Sequence, residues 1–149
     1  MRRAQLVAGF VLLASVAGCG DGLRRVHVQG KVTAQGQPVD NAVVSFVPLG
    51  ATKGEGGIAR SDRDGNFTLI GSRRGDKGVV PGEYRVRVSR LITRSGALLD
   101  PAANEADNPG SYDSVPRPYS SGESPLKASV PEEGGPVTID IPVKLLGRK

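Results

Sequence analysis

The sequence predicts an all-β protein, a β-sandwich of seven short antiparallel strands. Three observations predict this class. The 149 residues include 21 glycines and 11 prolines, about a fifth of the chain, which favours turns over helices. Hydrophobic and polar residues alternate with a period of two in several short runs. Clusters of turn residues separate these runs, as is typical of sandwiches, and the length suits one domain.

The first 18 residues predict a signal peptide, which we expect to be helical and absent from the mature protein. Arg2 and Arg3 provide a positive start, and Leu6–Val16 is uncharged and mostly apolar. This run is too short for a transmembrane helix, which needs about 20 residues. A secretory signal fits it better.

Four strands are predicted before residue 70. The first begins at residue 25, and the shared parity of its hydrophobic residues predicts a half-buried antiparallel strand with one wet face. Gly30 lies on the inward parity, where a missing side chain admits a neighbouring strand or a bulge. Asp64 and Gly65 predict a hairpin-type turn, because Asp-Gly suits a positive φ. The predicted inward residues are Val26, Val28, Val32 and Ala34, then Ala42, Val44 and Phe46, then the short strand Ile58–Ser61, then Phe67 and Leu69.

Three further strands are predicted after residue 80, with a long loop among them. Pro81-Gly82 predicts a turn that opens the clearest alternation of the chain. Residues 93–125 are rich in turn formers, and only Ala97–Ala106 favours a helical turn. A loop of this length is normally functional or disordered. The predicted inward residues are Tyr84, Val86 and Val88, then Leu126, Ala128 and Val130, then Val137, Ile139, Ile141 and Val143, followed by a solvated tail at 146–149.

The end of the apolar run resembles the lipobox of bacterial lipoproteins. Its residues are Val16-Ala17-Gly18-Cys19. The resemblance implies that Cys19 becomes the first residue of the mature protein, carries diacylglycerol on its thiol and is acylated on its new amino group. Residues 19–24 would then be a lipidated tether, membrane lipid would be a partner, and the protein would lie in the bacterial cell envelope, periplasmic or at the surface. The alternative is an exported protein cut after Ala17 or Gly18, but a lone free thiol is a liability in an oxidising compartment.

Residues 25–145 resemble the carboxypeptidase regulatory-like domain. The residues that carry the resemblance are Gly30-Lys31-Val32, Gly36-Gln37-Pro38, Ala42-Val43-Val44-Ser45-Phe46, Ser61–Phe67 and Pro81–Val86. The family implies a seven-stranded transthyretin-like, or prealbumin-like, sandwich and no peptidase activity. The stretch from Pro116 to Tyr119, followed by Ser124-Pro125-Leu126, is similar to small planctomycete lipoproteins that carry this domain.

The composition argues against catalysis, cofactors and metal binding. The chain has one Cys and one His, which leaves no Cys cluster, His-rich metal site or His-paired catalytic dyad. Asp62, Asp64 and Asn66 alternate like the opening of a calcium loop, but Arg73 stands where the bidentate Glu is required. We therefore predict no enzyme activity, no cofactor and no metal.

The predicted function is that of a non-catalytic envelope module with a structural or protein-interaction role. The alternative is a glycan- or peptide-binding module that uses the 93–125 loop, in which Tyr112 and Tyr119 are the candidate ligand-binding residues. Loss of residues 1–18 removes two arginines and lowers the formal net charge from +5 to +3. Because the basic residues Arg85 and Arg87 lack interleaved aromatics, we predict no nucleic-acid partner.

Overall fold

The computed structural model describes residues 21–147. The predicted signal peptide and Cys19 lie outside the described residues. Within 21–147 the chain forms eleven strands and no helix, which confirms the all-β class. The strands are β1 Val28–Ala34, β2 Gln37–Pro38, β3 Val43–Pro48, β4 Gly57–Arg60, β5 Asn66–Thr68, β6 Ile70–Gly71, β7 Gly82–Ser89, β8 Leu91–Ile92, β9 Tyr112–Asp113, β10 Lys127–Val130 and β11 Gly135–Ile141.

The strands form two main sheets and one two-stranded ribbon. One sheet has the order β11-β1-β2, with β5 also paired to β1, and the other has the order β10-β7-β3-β4-β6. The ribbon pairs β8 with β9. Seven of the eleven strands are three residues or longer, and these overlap the seven predicted runs. The four two-residue strands were not predicted, because such short pairings leave no hydrophobic period in the sequence.

The expectation of purely antiparallel pairing is wrong for β1. This strand runs parallel to β11, from Val28 opposite Gly135 to Ala34 opposite Ile141. It is antiparallel only to β2 and β5. Alternation along a strand reports which face is buried, and it carries no information on the direction of a neighbour that lies a hundred residues away.

One hydrophobic core lies between the inner faces of the two main sheets. The ring of Phe46 from β3 lies 6.2 Å from that of Phe67 from β5 and 5.7 Å from that of Tyr84 from β7. Burial follows the predicted parity in β7, where Tyr84, Val86 and Val88 are fully buried. A shared core between two sheets gives the molecule a sandwich-like architecture.

The turn between β4 and β5 has the predicted chemistry. Gly65 has φ +77°, and a Cβ there would lie 2.4 Å from the carbonyl oxygen of Val32. The Asp62 carboxylate accepts hydrogen bonds from the backbone N–H groups of Asp64 and Asn66, both at 2.9 Å. These side-chain bonds add to the backbone bonds that close the turn, from the N–H of Gly65 to the carbonyl oxygen of Asp62 at 3.1 Å and from the N–H of Asp62 to that of Asn66 at 2.9 Å.

The segment 93–125 is more structured than predicted, and the expected helical turn at Ala97–Ala106 is wrong. β9 lies within the segment, and Leu98 forms an isolated bridge with Ile92. The Asp100 carboxylate accepts from the N–H of Ala102 at 2.7 Å, and Asn104 Oδ1 accepts from the N–H of Asp107 at 2.8 Å. Such side-chain bonds compete with helical ones and favour successive turns.

Candidate functional site

The long loop forms a depression over the outer face of β7, and this depression is the candidate site. Alternate residues of β7 point away from the core, so Arg87 and Ser89 lie at the floor. The loop supplies the walls. The volume is about 530 Å³, and the lining residues are Arg87, Ser89, Leu91, Asn104, Glu105, Asp113, Arg117, Ser120, Ser121 and Gly122.

Asp113 holds the loop against the end of β7. One carboxylate oxygen, Oδ1, accepts from the backbone N–H groups of Arg90 at 3.0 Å and Val115 at 2.9 Å. The other, Oδ2, accepts from the Ser89 hydroxyl at 2.7 Å. The Arg90 guanidinium also donates to the carbonyl oxygen of Asp40 at 2.8 Å and to its carboxylate at 2.7 Å. The part of the loop around Asp113 is thus fixed to the end of β7, and Arg90 joins that end to Asp40, before β3.

The charged side chains that line the depression are two arginines, Arg87 and Arg117, and two carboxylates, Glu105 and Asp113, so its formal charge is balanced at neutral pH. Arg87 and Arg117 are both exposed, and neither belongs to an ion pair among residues 21–147. The Asp113 carboxylate accepts hydrogen bonds from neutral donors. The Glu105 carboxylate has no hydrogen-bond partner among residues 21–147. Two guanidinium groups with planar sets of donors suit a carboxylate, sulfate or phosphate group. Arg87 and Arg117 are therefore the groups of the depression that would contact an anion.

Neither predicted tyrosine lines this depression. Tyr112 pairs with Ile92 in the ribbon, and its hydroxyl lies against Gly147, where a Cβ would be only 2.1 Å from it. Tyr119 packs, partly buried, against the hydrophobic core, and its carbonyl oxygen accepts from the N–H of Val88 at 3.1 Å. A ligand-binding role for the two tyrosines remains a prediction, and the geometry favours Arg87 and Arg117 instead.

The sequence predicts the position of Arg87 in the candidate site but not that of Arg117. The outward parity of Arg87 follows directly from the alternation of β7. Arg117 lies in an irregular segment, Val115-Pro116-Arg117-Pro118, whose path over the sheet depends on contacts distant in sequence. Its position near Arg87 therefore required the structure.

The Asp62 carboxylate, first oxygen of the calcium-like pattern, is already engaged in its own turn. Its hydrogen bonds come from the N–H of Asn66, the side-chain amide of Asn66 at 3.3 Å and the N–H of Asp64. The bond from the backbone of Asn66 is the main cause that lowers the pKa of Asp62 below its ordinary value of 3.8. Within residues 21–147 no three His, Cys, Asp or Glu side chains converge as metal ligands do.

Comparisons of the chain with protein-family models, with curated proteins and with solved structures found no match. In the part of the chain from Asp21 to Gly147, no helix has the length and apolar character needed to cross a bilayer.

Proposed function

We propose that this chain is a lipid-anchored, non-catalytic β-sandwich module of the bacterial cell envelope with a structural or protein-interaction role. The observation that carries the proposal is the apolar run that ends in Val16-Ala17-Gly18-Cys19 directly before a folded body. Val26, seven residues after Cys19, already exchanges backbone hydrogen bonds with Val79 at 2.8 and 3.2 Å. A lipidated Cys19 would therefore hold the sandwich close to the membrane. Two or more acyl chains provide stable anchoring, whereas a single chain is marginal.

The detailed arrangement of the strands is part of the same proposal. We infer that the body is a transthyretin-like sandwich of the carboxypeptidase regulatory-like kind, without peptidase activity. The resemblance of residues 25–145 to that family supports it, as does the presence of seven strands of three or more residues around one core. Comparison with a solved member of the family should test whether that member shares the parallel pairing of β1 with β11.

Metabolic labelling tests the anchor. Cells that express the full chain are grown with an alkyne analogue of palmitate, and wild type is compared with Cys19→Ala. We expect label on the wild type and none on Cys19→Ala, because the acceptor thiol is missing. Ser129→Ala, an exposed change in β10, is the matched control and should label like wild type. Equal labelling of wild type and Cys19→Ala would defeat the proposal.

A second function, ligand binding by the 93–125 loop, is favoured by the paired arginines of its depression. We propose an anionic glycan or an acidic peptide as the ligand class, because Arg87 and Arg117 line one depression. An array of charged glycans and acidic peptides, probed with the secreted full-length domain, tests it. Arg87→Gln with Arg117→Gln should abolish any hit, and Arg63→Gln, an exposed change in the β4–β5 turn, should leave it unchanged. A hit that survives the double substitution would exclude this site.

A further inference from the structure

Asp21 and Arg25 are held to the loop between β6 and β7 by Arg73 and Asp76, and we name this ring of four charged side chains the clasp. The Arg25 guanidinium donates to the Asp21 carboxylate at 2.9 and 2.6 Å and lies 2.9 Å from Asp76 Oδ2. Arg73 closes the ring, with its two terminal nitrogens at 3.4 Å from Asp21 and from Asp76. The clasp therefore joins the start of the described chain to residues 72–78.

The clasp is better placed than an ordinary surface ion pair. The side chains of Arg25 and Asp76 are only 17% and 14% exposed. The fork of Arg25 binds Asp21 through two parallel hydrogen bonds, the strongest geometry for this pair of groups. This hydrogen bonding also holds the pKa of Asp21 well below its ordinary value of 3.8. We therefore expect a fixed path for the chain from Asp21 onward.

The covalent chain limits how far the loop can lie from the lipid. Cys19 stands two residues before Asp21. Because a residue spans at most about 3.6 Å, the two Cα atoms lie within about 7 Å of each other. Electrostatic interactions in physiological salt extend about 8 Å. If Cys19 is acylated, the clasp therefore holds residues 72–78 at the anchored end of the body.

The loop at 72–78 carries a net positive charge, and we name it the basic loop. It contains Arg73, Arg74 and Lys77 against one carboxylate, Asp76. Arg74 and Lys77 are exposed and take part in no ion pair within residues 21–147.

The other segments at this end of the body add no net positive charge, since they hold Arg24 and Lys53 against Glu55, Glu132 and Glu133. The turn after β10 is acidic, with Glu132 at 3.6 Å from Arg24 and Glu133 beside it. The loop before β4 is balanced, with Lys53 and Glu55. Positive charge is thus concentrated on one side of the anchored end.

We propose that the basic loop is a docking surface for the anionic phospholipid headgroups of the bilayer that holds the anchor. The clasp keeps the loop turned toward that bilayer, and Arg24 offsets part of the negative charge of the acidic turn at 131–134. The proposal rests on the proposed lipidation of Cys19. It adds an orientation to the anchor: the sandwich lies on its 72–78 side, and the far end of β1 points away from the membrane.

Fluorescence quenching in vesicles tests the orientation. The mature lipidated protein is reconstituted into vesicles of phosphatidylcholine with or without phosphatidylglycerol, each containing a headgroup-linked quencher. Acylation uses the only native thiol, so a fluorophore can be placed on Ser72→Cys, beside the basic loop, or on Gln37→Cys, at the opposite end of β1. We expect quenching at position 72 in anionic vesicles only, and none at position 37.

Charge variants separate docking from simple tethering. Arg74→Gln with Lys77→Gln should lower the ratio of docked to undocked protein about thirtyfold, as expected for two cations at an anionic surface. Lys127→Gln with Lys144→Gln, which removes the same charge elsewhere, should not change it. Asp21→Asn should also reduce quenching, because the clasp opens while the basic residues remain.

The outcomes of these experiments test the docking surface and the lipid anchor separately. Failure of the protein to partition into either kind of vesicle would overturn the anchor and, with it, the docking surface. Normal partitioning with equal quenching in neutral and anionic vesicles would overturn the docking surface alone. Quenching that survives Arg74→Gln with Lys77→Gln would have the same meaning.

Discussion

At the scale of single residues, the contact between β1 and β5 depends on a missing side chain. Gly30 faces inward opposite Phe67, and a Cβ built on it would lie 2.3 Å from the ring of Phe67 and 2.5 Å from the carbonyl oxygen of Val137. Phe67 therefore occupies the volume that a side chain at position 30 would need. The ring in turn packs against Phe46 of the opposite sheet.

Gly30→Ala should destabilise the domain by about 1–3 kcal/mol, the cost of overpacking a filled core. Neither the ring nor the backbone carbonyl can move without disturbing the pairing of β1 with β5 and β11. Urea unfolding followed by circular dichroism would measure the change. Gly122→Ala is the matched control, since a Cβ there meets nothing within 4 Å, and it should leave the free energy of unfolding unchanged. Equal midpoints for both variants would contradict this account.

The hydroxyl of Tyr84 is the second residue-scale feature. Tyr84 is fully buried, donates a hydrogen bond to the carbonyl oxygen of Val80, and has its pKa raised by that burial. Tyr84→Phe should cost about 1–3 kcal/mol, because the Val80 carbonyl loses its donor inside the protein. Tyr112→Phe, which removes a hydroxyl in the ribbon, is the control and should cost little. A calorimetric melting temperature for Tyr84→Phe equal to that of the wild type would refute this role.

Residue-scale prediction from sequence was good for burial and poor for partners. The alternation correctly placed Tyr84, Phe46 and Phe67 inward, and Gly30 was correctly read as a site of close approach. The partner of Gly30 could not be identified, because it depends on the register of β1 against β5. A register is a property of two strands together.

At the scale of elements, local chemistry was predictable and long-range pairing was not. The β4–β5 turn is determined by Asp62 and Gly65, which lie three residues apart in sequence. The parallel partnership of β1 and β11 joins the two ends of the body and leaves no local trace. The candidate site divides in the same way, since Arg87 belongs to a regular strand and Arg117 to an irregular loop.

Asp113→Ala should loosen the long loop without unfolding the sandwich. Asp113 supplies the acceptors for two backbone N–H groups and the Ser89 hydroxyl, so its loss leaves three donors unpaired. Hydrogen exchange of residues 93–122 should accelerate about tenfold or more, whereas exchange in β7 and β3 should not change. Glu123→Ala, an exposed change near the end of the same loop, should leave exchange at wild-type rates. If residues 93–122 of Asp113→Ala exchange at wild-type rates, other contacts hold the loop.

At the scale of the whole molecule, several surface carboxylates contribute to stability through hydrogen bonds that exist only in the folded chain. Asp140 accepts from the Thr33 hydroxyl and from the N–H of Gly36, and these bonds lower its pKa. The pKa values of Asp62 and Asp21 are lowered by their own donors. The three groups lie at a turn, at the β1–β11 edge and at the clasp, so their contributions should be nearly additive.

Stability should therefore be lost in acid. Because the folded pKa values lie below 3.8, the unfolded chain binds more protons in this range, and the stabilising effect is present above pH 3.8 and lost as the pH falls through the folded values. Urea unfolding between pH 2 and pH 7 should give a plateau down to about pH 5 and a steep decline below about pH 4. Asp62→Asn with Asp140→Asn should lower the plateau and flatten the decline, because fewer groups then bind protons on unfolding. Ser129→Lys, which raises the net charge without removing a carboxylate, should keep the wild-type slope. A slope that is unchanged in the double variant would show that these hydrogen bonds do not carry the acid sensitivity.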